Sequence, residues 1–545
     1  MRWLLTMPRW PAVAQVGGLR AADVVAACLL LALWVAGLGG APLFDVDEGA
    51  FAEASREMWA TGDWGHTSLN GADRFDKPIG VYWLQATSLA LLGASEAAVR
   101  LPSALCAWGW GLAVAGFAAA RWGRSTGWLA AAILSTGLGP VLIGRAATAD
   151  ALLNLLLALT LMDLWRALTP ETSGPDAAQR AWRRAGLWIG LGLLAKGPVA
   201  LVVPGGALLS WAALGGRPAW QQLGRRLSDP WAWGLLLCTS LPWYVYAVWR
   251  HGQAFVDGFL LRHNFERFVS TLEGHGGHPL YHVVVLPLLL LPWTPLLLPL
   301  LSRPRATAAD GAIRLPLVWC AFVLAFFSLA STKLPHYALY GITPLVLLAA
   351  RQAGRDGASR GLLLAVGALA GISVLLGAAS VPVAQAWADT EAAGPHWRER
   401  LQSAWVEPGP ASGLASLWLL GMTALAGLAW HRADLRLPAM VGLAAGSALW
   451  WVMVVVPFWG QHLQSPVREL AQEAHVRGLP LVQWQLHQPS AGFYRQQPAP
   501  RRAPQVGEAA LLRSDRLAAA SAEAGRPLVV LRRAPGFVLV QIGPP

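Results

Sequence analysis

The sequence predicts an all-α polytopic membrane protein with about thirteen transmembrane helices and a small C-terminal α/β domain. Hydrophobic residues make up 55% of the chain and charged residues only 13%, whereas about a quarter of a soluble protein is charged. Apolar runs of about 20 residues recur, which is the length that crosses the hydrocarbon core of a bilayer. Arginines concentrate in the short segments between these runs. This distribution is typical of cytoplasmic loops.

The composition also argues against other classes of protein. A formal net charge of +12 is compatible with nucleic-acid binding, but the positive-inside rule explains loop arginines better, and we expect no nucleic-acid partner. The four cysteines all lie within apolar runs, which indicates neither a disulfide framework nor a metal motif. They are Cys28, Cys106, Cys238 and Cys320.

The predicted spans follow from the apolar runs. Arg2, Arg9 and Arg20 precede the first run, so we expect a cytoplasmic N-terminus. A cleaved signal peptide is the alternative, but the leader is long and lacks a clear cleavage site. The predicted spans are Ala22–Leu38, Val99–Ala120, Gly127–Ile143, Ala149–Leu168, Gly186–Ala195, Pro198–Leu214, Trp231–Trp249, Leu280–Leu301, Leu315–Ser331, Pro335–Ala350, Gly361–Val383, Gly413–Trp430 and Pro438–Trp459.

One further apolar stretch, Ile79–Gly93, is short and aromatic. If it crossed the membrane, Arg121 and Arg124 would fall on the outer side, so the charge pattern favours an interfacial or re-entrant segment. The predicted organisation is therefore a transmembrane catalytic domain over 1–460, with a periplasmic first loop over 41–98, and a soluble periplasmic α/β domain over 461–545. In that domain we expect a helix at Pro466–Arg477 and strands at Leu479–Trp484, Pro527–Leu531 and Phe537–Ile542.

This arrangement gathers ionisable residues at the outer ends of the spans. Such residues at membrane depth are costly and usually line a cavity. All three lysines of the chain are among them, although Lys and Arg together number 42. The gathered residues are Asp45, Asp47, Glu48, Glu53, Asp76, Lys77, Asp150, Lys196, His263, Arg267, Lys333, His336 and Tyr337.

Acids and lysines at a membrane surface suit chemistry on a lipid phosphate. A lysine ammonium is a compact charge with three donors for phosphate oxygens, and it stabilises negative charge that develops on a phosphate leaving group. A carboxylate nearby can accept a proton from an acceptor hydroxyl or hold a metal ion.

Each of these residues also has an ordinary structural explanation. The stretch "FDVDEGAFAEASREM" reads equally well as an amphipathic interfacial helix with Asp47 and Glu48 in its first turn. Asp150 could cap a helix, His263 could be a surface histidine, and Lys196 could extend from a helix end towards water. The predicted placement of all of them on one side favours a functional site.

Several motifs point to a known family. The stretches "DVDEGAFAEASREMWATGDW", "LNGADRFDKPIGVYW", "GRAATADALLN", "LLAKGPV", "RHNFERF" and "STKLPHYALY" resemble those of bacterial glycosyltransferases related to protein O-mannosyltransferases, and most of all the lipid A aminoarabinose transferases. The resemblance covers roughly the first 350 residues. It implies the multi-span GT-C fold and transfer of a sugar from a polyprenyl-phosphate carrier on the periplasmic side.

The resemblance also implies roles for particular residues. Asp47 and Asp150 match the functional aspartates, and Lys77 holds the position associated with the carrier phosphate. A divalent metal is allowed but not required, with Asp76 and His263 as its candidate ligands. The other implied roles are donor-phosphate binding by Lys196, Arg267, Lys333 and Tyr337, and support of the acceptor or of the first loop by Glu48 and Glu53.

The chain departs from the family pattern in its first loop. Relatives often read "DE-x-R-Y-A-E", whereas Ala50 and Phe51 occupy the arginine and tyrosine positions here. One phosphate contact is therefore missing or supplied from elsewhere. The aminoarabinose enzymes also favour glutamate where this chain has Asp76.

The sequence therefore predicts an inner-membrane glycosyltransferase that inverts the anomeric carbon. The expected donor is a polyprenyl-phosphate sugar. The expected acceptor is a periplasmic glycolipid, such as lipid A or another envelope glycan, and a protein is the less favoured alternative. A transporter or lipid flippase would share the composition, but it predicts polar residues near mid-membrane in broken helices and an internal repeat. The sequence shows no repeat, and its charged groups are predicted to cluster at one face instead. An assembly scaffold would leave the lysines unexplained.

Overall fold

The computed structural model describes residues 20–169, 174–266, 270, 276–298, 313–390, 393–403 and 410–542. Within this part of the chain, six helices are long and apolar enough to cross a membrane. The protein is therefore a multi-pass membrane protein, as predicted. Residues 1–19 of the basic leader, residues 299–301 at the end of the eighth predicted span and Arg267 lie outside the described residues.

Helices dominate the chain up to the C-terminal domain. Besides the α-helices, π-helical segments occur at Val256–Glu266 and Trp451–Val455, and 3₁₀ helices occur at Thr294–Leu297 and Pro335–Gly341. The helices are α1 (Ala21–Val35), α2 (Asp47–Thr61), α3 (Gly80–Leu92), α4 (Glu96–Trp122), α5 (Arg124–Thr136), α6 (Leu138–Ile143), α7 (Asp150–Leu168), α8 (Pro175–Lys196), α9 (Val199–Leu227), α10 (Pro230–His251), α11 (Gln253–Phe255), α12 (Tyr281–Leu289), α13 (Arg314–Leu329), α14 (Ile342–Asp356), α15 (Arg360–Ala388), α16 (Pro395–Gln402), α17 (Pro410–His431), α18 (Ala433–Trp450) and α19 (Val456–Val476).

Most of the described helices follow the predicted spans, but the number of membrane crossings stays a prediction. The described part of the eighth predicted span is not one helix, because it contains the nine-residue α12 and the 3₁₀ turn Thr294–Leu297. Helices α1 and α13 have 15 and 16 residues, which is short for a full crossing. The third predicted span is divided at Gly137 into α5 and α6. The backbone N–H of Leu138 donates to the carbonyl of Leu291, so a contact between distant segments accompanies the break.

The segment after α1 folds into a compact unit. Strands β1 (Ser68–Leu69) and β2 (Ala72–Asp73) pair antiparallel. Asn70 and Gly71 connect them with φ angles of 54° and 81°, as a two-residue hairpin turn requires. Helix α3, with 13 residues, is about 20 Å long, which is too short to cross the hydrocarbon core.

Helix α2 is enclosed on nearly every side. All residues from Glu48 to Met58 are buried, although four of them are charged: Glu48, Glu53, Arg56 and Glu57. An interfacial helix would leave one polar face in water. The interpretation of this stretch as an ordinary amphipathic surface helix is therefore wrong. Helix α2 is covered by α3 on one side and by the C-terminal domain on another.

The C-terminal domain contains a four-stranded mixed sheet of β3 (Leu481–Gln483), β4 (Ala509–Arg513), β5 (Leu528–Ala534) and β6 (Phe537–Ile542). The predicted strands are present, and β4, which the sequence analysis missed, lies between the first and the last of them. Strand β3 runs parallel to β4, while β6 runs antiparallel to both β4 and β5. Helix α19 continues through the predicted domain boundary at 460. Between the strands lie α20 (Ser490–Arg495) and α21 (Leu517–Ala524).

Helices α8 and α10 pack against each other through small residues. A Cβ atom added to Gly190 would lie 2.0 Å from Thr239 Oγ1 and 2.6 Å from the carbonyl oxygen of Leu236. The backbones of α8 and α10 can approach this closely only because residue 190 has no side chain. This contact holds α8, and with it Lys196 at the C-terminal end of α8, in position.

We expect Gly190→Ala to destabilise the protein by about 1–3 kcal/mol, because the new methyl group overpacks the α8–α10 contact. The measurement is the thermal unfolding temperature of the purified protein in detergent. Gly234→Ala on α10 is the matched control, since a Cβ atom there meets nothing within 4 Å. Equal unfolding temperatures for the two variants would contradict the packing argument.

Candidate active site

A cavity of about 330 Å³ lies between the loop after α1 and helices α2, α4, α6 and α7. Its volume is at the lower end of the range for small-molecule sites. Five of the residues that the sequence gathered at the outer ends of the spans line it. They are Asp45, Asp47, Glu48, Asp150 and His336, and Arg100 and Arg145 join them.

The first turn of α2 is fixed by an ion pair between Glu48 and Arg100. Arg100 Nε and Nη2 donate to the two carboxylate oxygens of Glu48 over 2.8 and 2.6 Å. The same carboxylate accepts the backbone N–H groups of Phe44 and Ala147, at 3.0 and 2.8 Å. Burial would raise the pKa of Glu48, but the charge and hydrogen bonds of Arg100 and these N–H groups lower it. Glu48 is therefore an anion that joins the first loop to the segment before α7.

Asp150, the first residue of α7, is a second anchored carboxylate. Its Oδ1 accepts hydrogen bonds from Lys196 Nζ at 2.6 Å and from the Tyr340 hydroxyl at 2.9 Å. His336 Nε2 lies 3.8 Å from the same oxygen. Ala149, not Asp150, is the N-cap residue of α7, so the interpretation of Asp150 as a helix cap is wrong. Asp150 instead joins the cavity to the lysine that ends α8.

A second polar cluster surrounds Asp76. His263 Nε2 lies 3.0 Å from one carboxylate oxygen of Asp76 and Arg74 Nη2 lies 3.1 Å from the other. Burial would raise the pKa of Asp76, but the His263 hydrogen bond and the Arg74 charge hold it well below its usual range. Lys77 Nζ donates to the backbone carbonyl of Asp76 at 3.0 Å. His263 is therefore a paired residue, not a solitary surface histidine.

Asp76 and His263 are placed together as metal ligands would be. A protein site for a divalent metal usually needs three or more ligands. No group of three or more His, Cys, Asp or Glu side chains suited to a metal occurs among the residues that the structure describes. Asp76 and His263 could therefore supply only part of a coordination shell, and the metal stays a prediction.

Arg74 connects the Asp76 cluster with Asp47. Its Nε donates to the Tyr82 hydroxyl at 3.1 Å. Burial would lower the pKa of Arg74, but Tyr82 and the charges of Asp76 and Asp47 raise it. Its guanidinium carbon lies 5.6 Å from the ring centre of Phe51. Phe51 is next to Ala50, where relatives often carry an arginine, so a guanidinium is present near this turn although it comes from another position.

The remaining predicted residues that the structure describes do not line the cavity. Lys333 Nζ donates to the carbonyls of Ser328 and Ala330, at 2.8 and 2.7 Å, at the C-terminal end of α13. The ring centre of Tyr337 lies 5.9 Å from Lys196 Nζ. Glu53 faces the C-terminal domain and holds Arg56 through two hydrogen bonds of 2.7 Å. The predicted role of Arg267 falls outside the described residues.

Asp45 lines the cavity and forms hydrogen bonds with the C-terminal domain. The backbone N–H of Ser490, the first residue of α20, donates to Asp45 Oδ1 at 2.9 Å, and the Ser490 hydroxyl donates to Oδ2 at 2.5 Å. Burial raises the pKa of Asp45 to about 7, the neighbouring Glu48 charge adds to the effect, and the Ser490 hydrogen bonds oppose it. This carboxyl therefore titrates close to neutral pH.

Sequence reasoning missed four residues of the site. Arg100 and Arg145 line the cavity, Arg74 links its two clusters, and Tyr340 bonds to Asp150. Arg100 carried a usable signal, because it is an ionisable residue at the start of a predicted span. Arg145 donates to the carbonyls of Leu33 and Trp34 at the end of α1, which no local pattern indicates.

Parts of the chain are similar in sequence to known glycosyltransferases. The family model described as dolichyl-phosphate-mannose-protein mannosyltransferase matches residues 76–249. An undecaprenyl phosphate-α-4-amino-4-deoxy-L-arabinose arabinosyl transferase of Erwinia tasmaniensis is 31% identical over 317 residues, which are 57% of this chain and 55% of the relative. A protein of the same description from Sodalis glossinidius is 33% identical over 339 residues, which are 61% of this chain and 59% of the relative. The match thus spans less than two thirds of either relative.

A solved structure extends the similarity to almost the whole chain. The crystal structure of ArnT from Cupriavidus metallidurans bound to undecaprenyl phosphate matches with a TM-score of 0.80 at 21% sequence identity. The alignment covers 95% of this chain and 97% of that one. This chain has the GT-C fold. The resemblance inferred from the sequence motifs is confirmed, and the C-terminal sheet domain is part of the shared GT-C architecture.

We expect Arg100→Lys to destabilise the GT-C fold strongly. Arg100 Nη1 donates to the carbonyls of Leu38 and Ala41 at 2.8 and 2.6 Å, in addition to the Glu48 pair. An ammonium group has three donors at one point and cannot reproduce this planar array. Each buried acceptor left without a donor costs about 1–3 kcal/mol. The measurement is the thermal unfolding temperature in detergent.

The control for this substitution is Arg468→Lys, because Arg468 is partly exposed and reaches Glu96 only at 3.5 Å. That variant should unfold close to the wild type, since exposed ion pairs contribute about 0–1 kcal/mol. If Arg100→Lys unfolded at the same temperature as Arg468→Lys, the Glu48–Arg100 pair would not be the anchor described above.

We expect Asp45→Asn to stabilise the protein more at pH 8 than at pH 5, relative to wild type. The native pKa of Asp45, about 7, exceeds the usual value of 3.8. Between about pH 4 and pH 7 the native state therefore binds more protons than the unfolded state. The stability of the wild type consequently falls as the pH rises through this range. An asparagine side chain does not titrate and can still bond to Ser490. Unfolding temperatures of both proteins at about pH 5 and pH 8 test this, and an equal difference at the two pH values would contradict it.

Proposed function

We propose that this protein is an integral inner-membrane glycosyltransferase. It takes a sugar from a polyprenyl-phosphate donor and transfers it to a glycolipid acceptor, such as lipid A, on the periplasmic side. The observation that carries the proposal is a single cavity lined by Asp47 and Asp150, with Lys196 bonded to Asp150 and with Arg74 linking Asp47 to the cluster of Asp76 and Lys77. Transfer of a sugar from a phosphate carrier needs a carboxylate that accepts the proton of the attacking hydroxyl. It also needs cations that stabilise the negative charge on the leaving phosphate. Carboxylates held beside cations supply both groups.

Asp47 is the proposed general base. It is exposed to the cavity, whereas Glu48 and Asp150 are both held by basic partners. The acceptor hydroxyl gives its proton to the Asp47 carboxylate and its oxygen forms a bond to the anomeric carbon. The bond between that carbon and the phosphate oxygen breaks, and its electron pair leaves on the carrier phosphate. Attack opposite the leaving group inverts the anomeric carbon.

Lys77 is the first candidate for a partner of the carrier phosphate, and Lys333 is proposed in support. Arg267, which falls outside the described residues, is a further supporting candidate from the sequence resemblance alone. Lys196 holds Asp150, which then positions the acceptor or the sugar. The names of the similar proteins support a polyprenyl carrier, because the relatives are called undecaprenyl phosphate-α-4-amino-4-deoxy-L-arabinose arabinosyl transferases and the solved structure holds undecaprenyl phosphate. Aminoarabinose is therefore the first sugar to test.

The orientation of the chain is part of the proposal. The arginine-rich segments lie at the helix ends opposite the cavity, such as Arg121 in the last turn of α4, Arg124 at the start of α5 and Arg355 in the last turn of α14. By the positive-inside rule these ends face the cytoplasm. The cavity and the C-terminal domain then face the periplasm, where lipid A is accessible.

A protein acceptor is the second candidate. The family model that matches residues 76–249 is described as a dolichyl-phosphate-mannose-protein mannosyltransferase. A protein acceptor would leave the donor site and the chemistry unchanged. Only the group that supplies the hydroxyl would differ, so a single transfer assay with both kinds of acceptor separates the two candidates.

We expect Asp47→Asn to lower transfer by about 10²–10⁴-fold, as loss of a general base does, and Lys77→Ala to lower it by about 10²–10³-fold, as loss of one group that stabilises the leaving phosphate does. The assay measures transfer of labelled sugar from undecaprenyl phosphate to lipid A or to envelope protein, in proteoliposomes that contain equal amounts of each variant. Lys77→Arg should also lose activity, because a guanidinium does not replace a compact ammonium at a tight phosphate site.

The matched control is Asp434→Asn, which removes an exposed carboxylate at the start of α18 and should leave transfer unchanged. Full activity of Asp47→Asn or of Lys77→Arg would refute the role assigned to that residue while leaving the enzyme class standing. Movement of the donor lipid across the bilayer without any transfer would refute the enzyme class and favour a flippase.

A further inference from the structure

A second cavity, of about 220 Å³, lies at the opposite end of the helix bundle from the candidate active site. Helix α4 begins near the active site, where Glu96 accepts a hydrogen bond from Tyr494 of the C-terminal domain. It ends at the second cavity with Trp122. A helix of 27 residues spans about 40 Å, so the two cavities are separated by the thickness of the membrane. The lining residues of the second cavity are Trp122, Thr126, Arg351, Gly354 and Arg355.

The walls of this cavity come from three helices. Trp122 ends α4, Thr126 lies in the first turn of α5, and the other three residues lie in the last turns of α14. Thr126 is buried, and a Cβ atom on Gly354 would lie 2.6 Å from its hydroxyl oxygen. Because residue 354 has no side chain, α14 packs close to α5 and the cavity beside the two helices stays open. A larger side chain at this position would fill the cavity.

The lining is positively charged. Arg351 and Arg355 are four residues apart on α14, so they lie on the same face of the helix. The guanidinium carbon of Arg351 lies 5.7 Å from the ring centre of Trp122, a cation–π contact that orients the charged group. No carboxylate occurs among the described residues that line the cavity, and the nearest acid along α14, Asp356, accepts a hydrogen bond from Gln352.

We propose that this cavity binds a phosphate group, carried by the headgroup of an anionic phospholipid or present as free phosphate. Arginine forks match phosphate oxygens in a bidentate manner, and a hydroxyl such as that of Thr126 adds a further donor. Tryptophan side chains are typical of the membrane interface, and basic pockets between helix ends on the cytoplasmic side are suited to lipid headgroups. The inference shares the proposed orientation of the chain, but the site is far from the transfer chemistry, so it does not depend on the proposed reaction.

The test uses the full-length protein purified in detergent. Native mass spectrometry measures how much phosphatidylglycerol remains bound, with phosphatidylcholine as the comparison lipid and inorganic phosphate as the competitor. We expect the wild type to retain phosphatidylglycerol in preference to phosphatidylcholine. The double variant Arg351→Ala/Arg355→Ala should lose affinity by about fivefold for each arginine removed, the factor expected for one basic group near an anionic surface.

The matched control is Arg217→Ala/Arg225→Ala, which removes two exposed arginines from α9 and the same amount of charge. It should retain phosphatidylglycerol as the wild type does. Because loss of the Arg351 contact with Trp122 could unfold the double variant, the single variant Arg355→Ala provides a second test, since this side chain is exposed.

The competition experiment identifies the source of the phosphate. Retention of phosphatidylglycerol that millimolar inorganic phosphate leaves unchanged supports a lipid headgroup site. Displacement of the lipid by inorganic phosphate supports a site for the free anion. Equal retention of phosphatidylglycerol by the wild type, Arg355→Ala and both double variants would overturn the proposal, whatever the transfer assay gives.

Discussion

The buried ion pair of Glu48 and Arg100 is the constraint on which the candidate active site depends. Both side chains are buried, with 6% of the Glu48 side chain and 7% of the Arg100 side chain exposed. A buried charge is tolerated only when it is paired and fully hydrogen-bonded, and here the Glu48 carboxylate accepts from Arg100 and from two backbone N–H groups. The remaining donors of Arg100 are taken by carbonyls of the loop after α1. Removal of either partner would leave an isolated charge and several unpaired polar groups.

This pair fixes the relative positions of the two proposed functional aspartates. Asp47 precedes Glu48 at the start of α2, and the Ala147 N–H group that bonds to Glu48 lies three residues before Asp150. The cavity between Asp47 and Asp150 is therefore bounded by one hydrogen-bonded network and not by independent loops. A preorganised arrangement of this kind lowers the cost of holding reacting groups in position.

The C-terminal domain belongs to the same network. The Tyr494 hydroxyl accepts the backbone N–H of Leu43 at 2.8 Å, two residues before Asp45, which itself bonds to Ser490. Asn70, in the hairpin turn, accepts the N–H of Ala499. These contacts share a buried apolar core with α2 and α4. The domain thus covers the first loop and supports the proposed base, which explains why α2 is buried although it carries so many charges.

The sequence predicted the fold well because length and hydropathy determine which segments can cross a bilayer. It did not predict the break at Gly137, which accompanies a contact with Leu291, or strand β4, whose residues Ala509–Leu512 are all buried and lack the alternation that marks a half-buried strand. Within the site, acids and lysines stood out because they are rare among the apolar runs. The structural arginines did not, because arginine is abundant throughout the chain and only its tertiary partners distinguish Arg100 from a loop arginine.

The three lysines show the difference between an ammonium and a guanidinium in physical terms. Lys196 places one nitrogen 2.6 Å from Asp150 and 5.9 and 5.6 Å from the ring centres of Tyr337 and Tyr340. A planar fork is larger and demands donors in fixed directions, so it would crowd these rings. The ammonium group of Lys333 donates to two carbonyls at the end of α13. Its three donors rotate about one nitrogen atom, so a single small group can form both hydrogen bonds. In a chain that otherwise uses arginine, lysine thus remains where a compact charge fits a confined space, and this reasoning carries over to Lys77 beside Asp76.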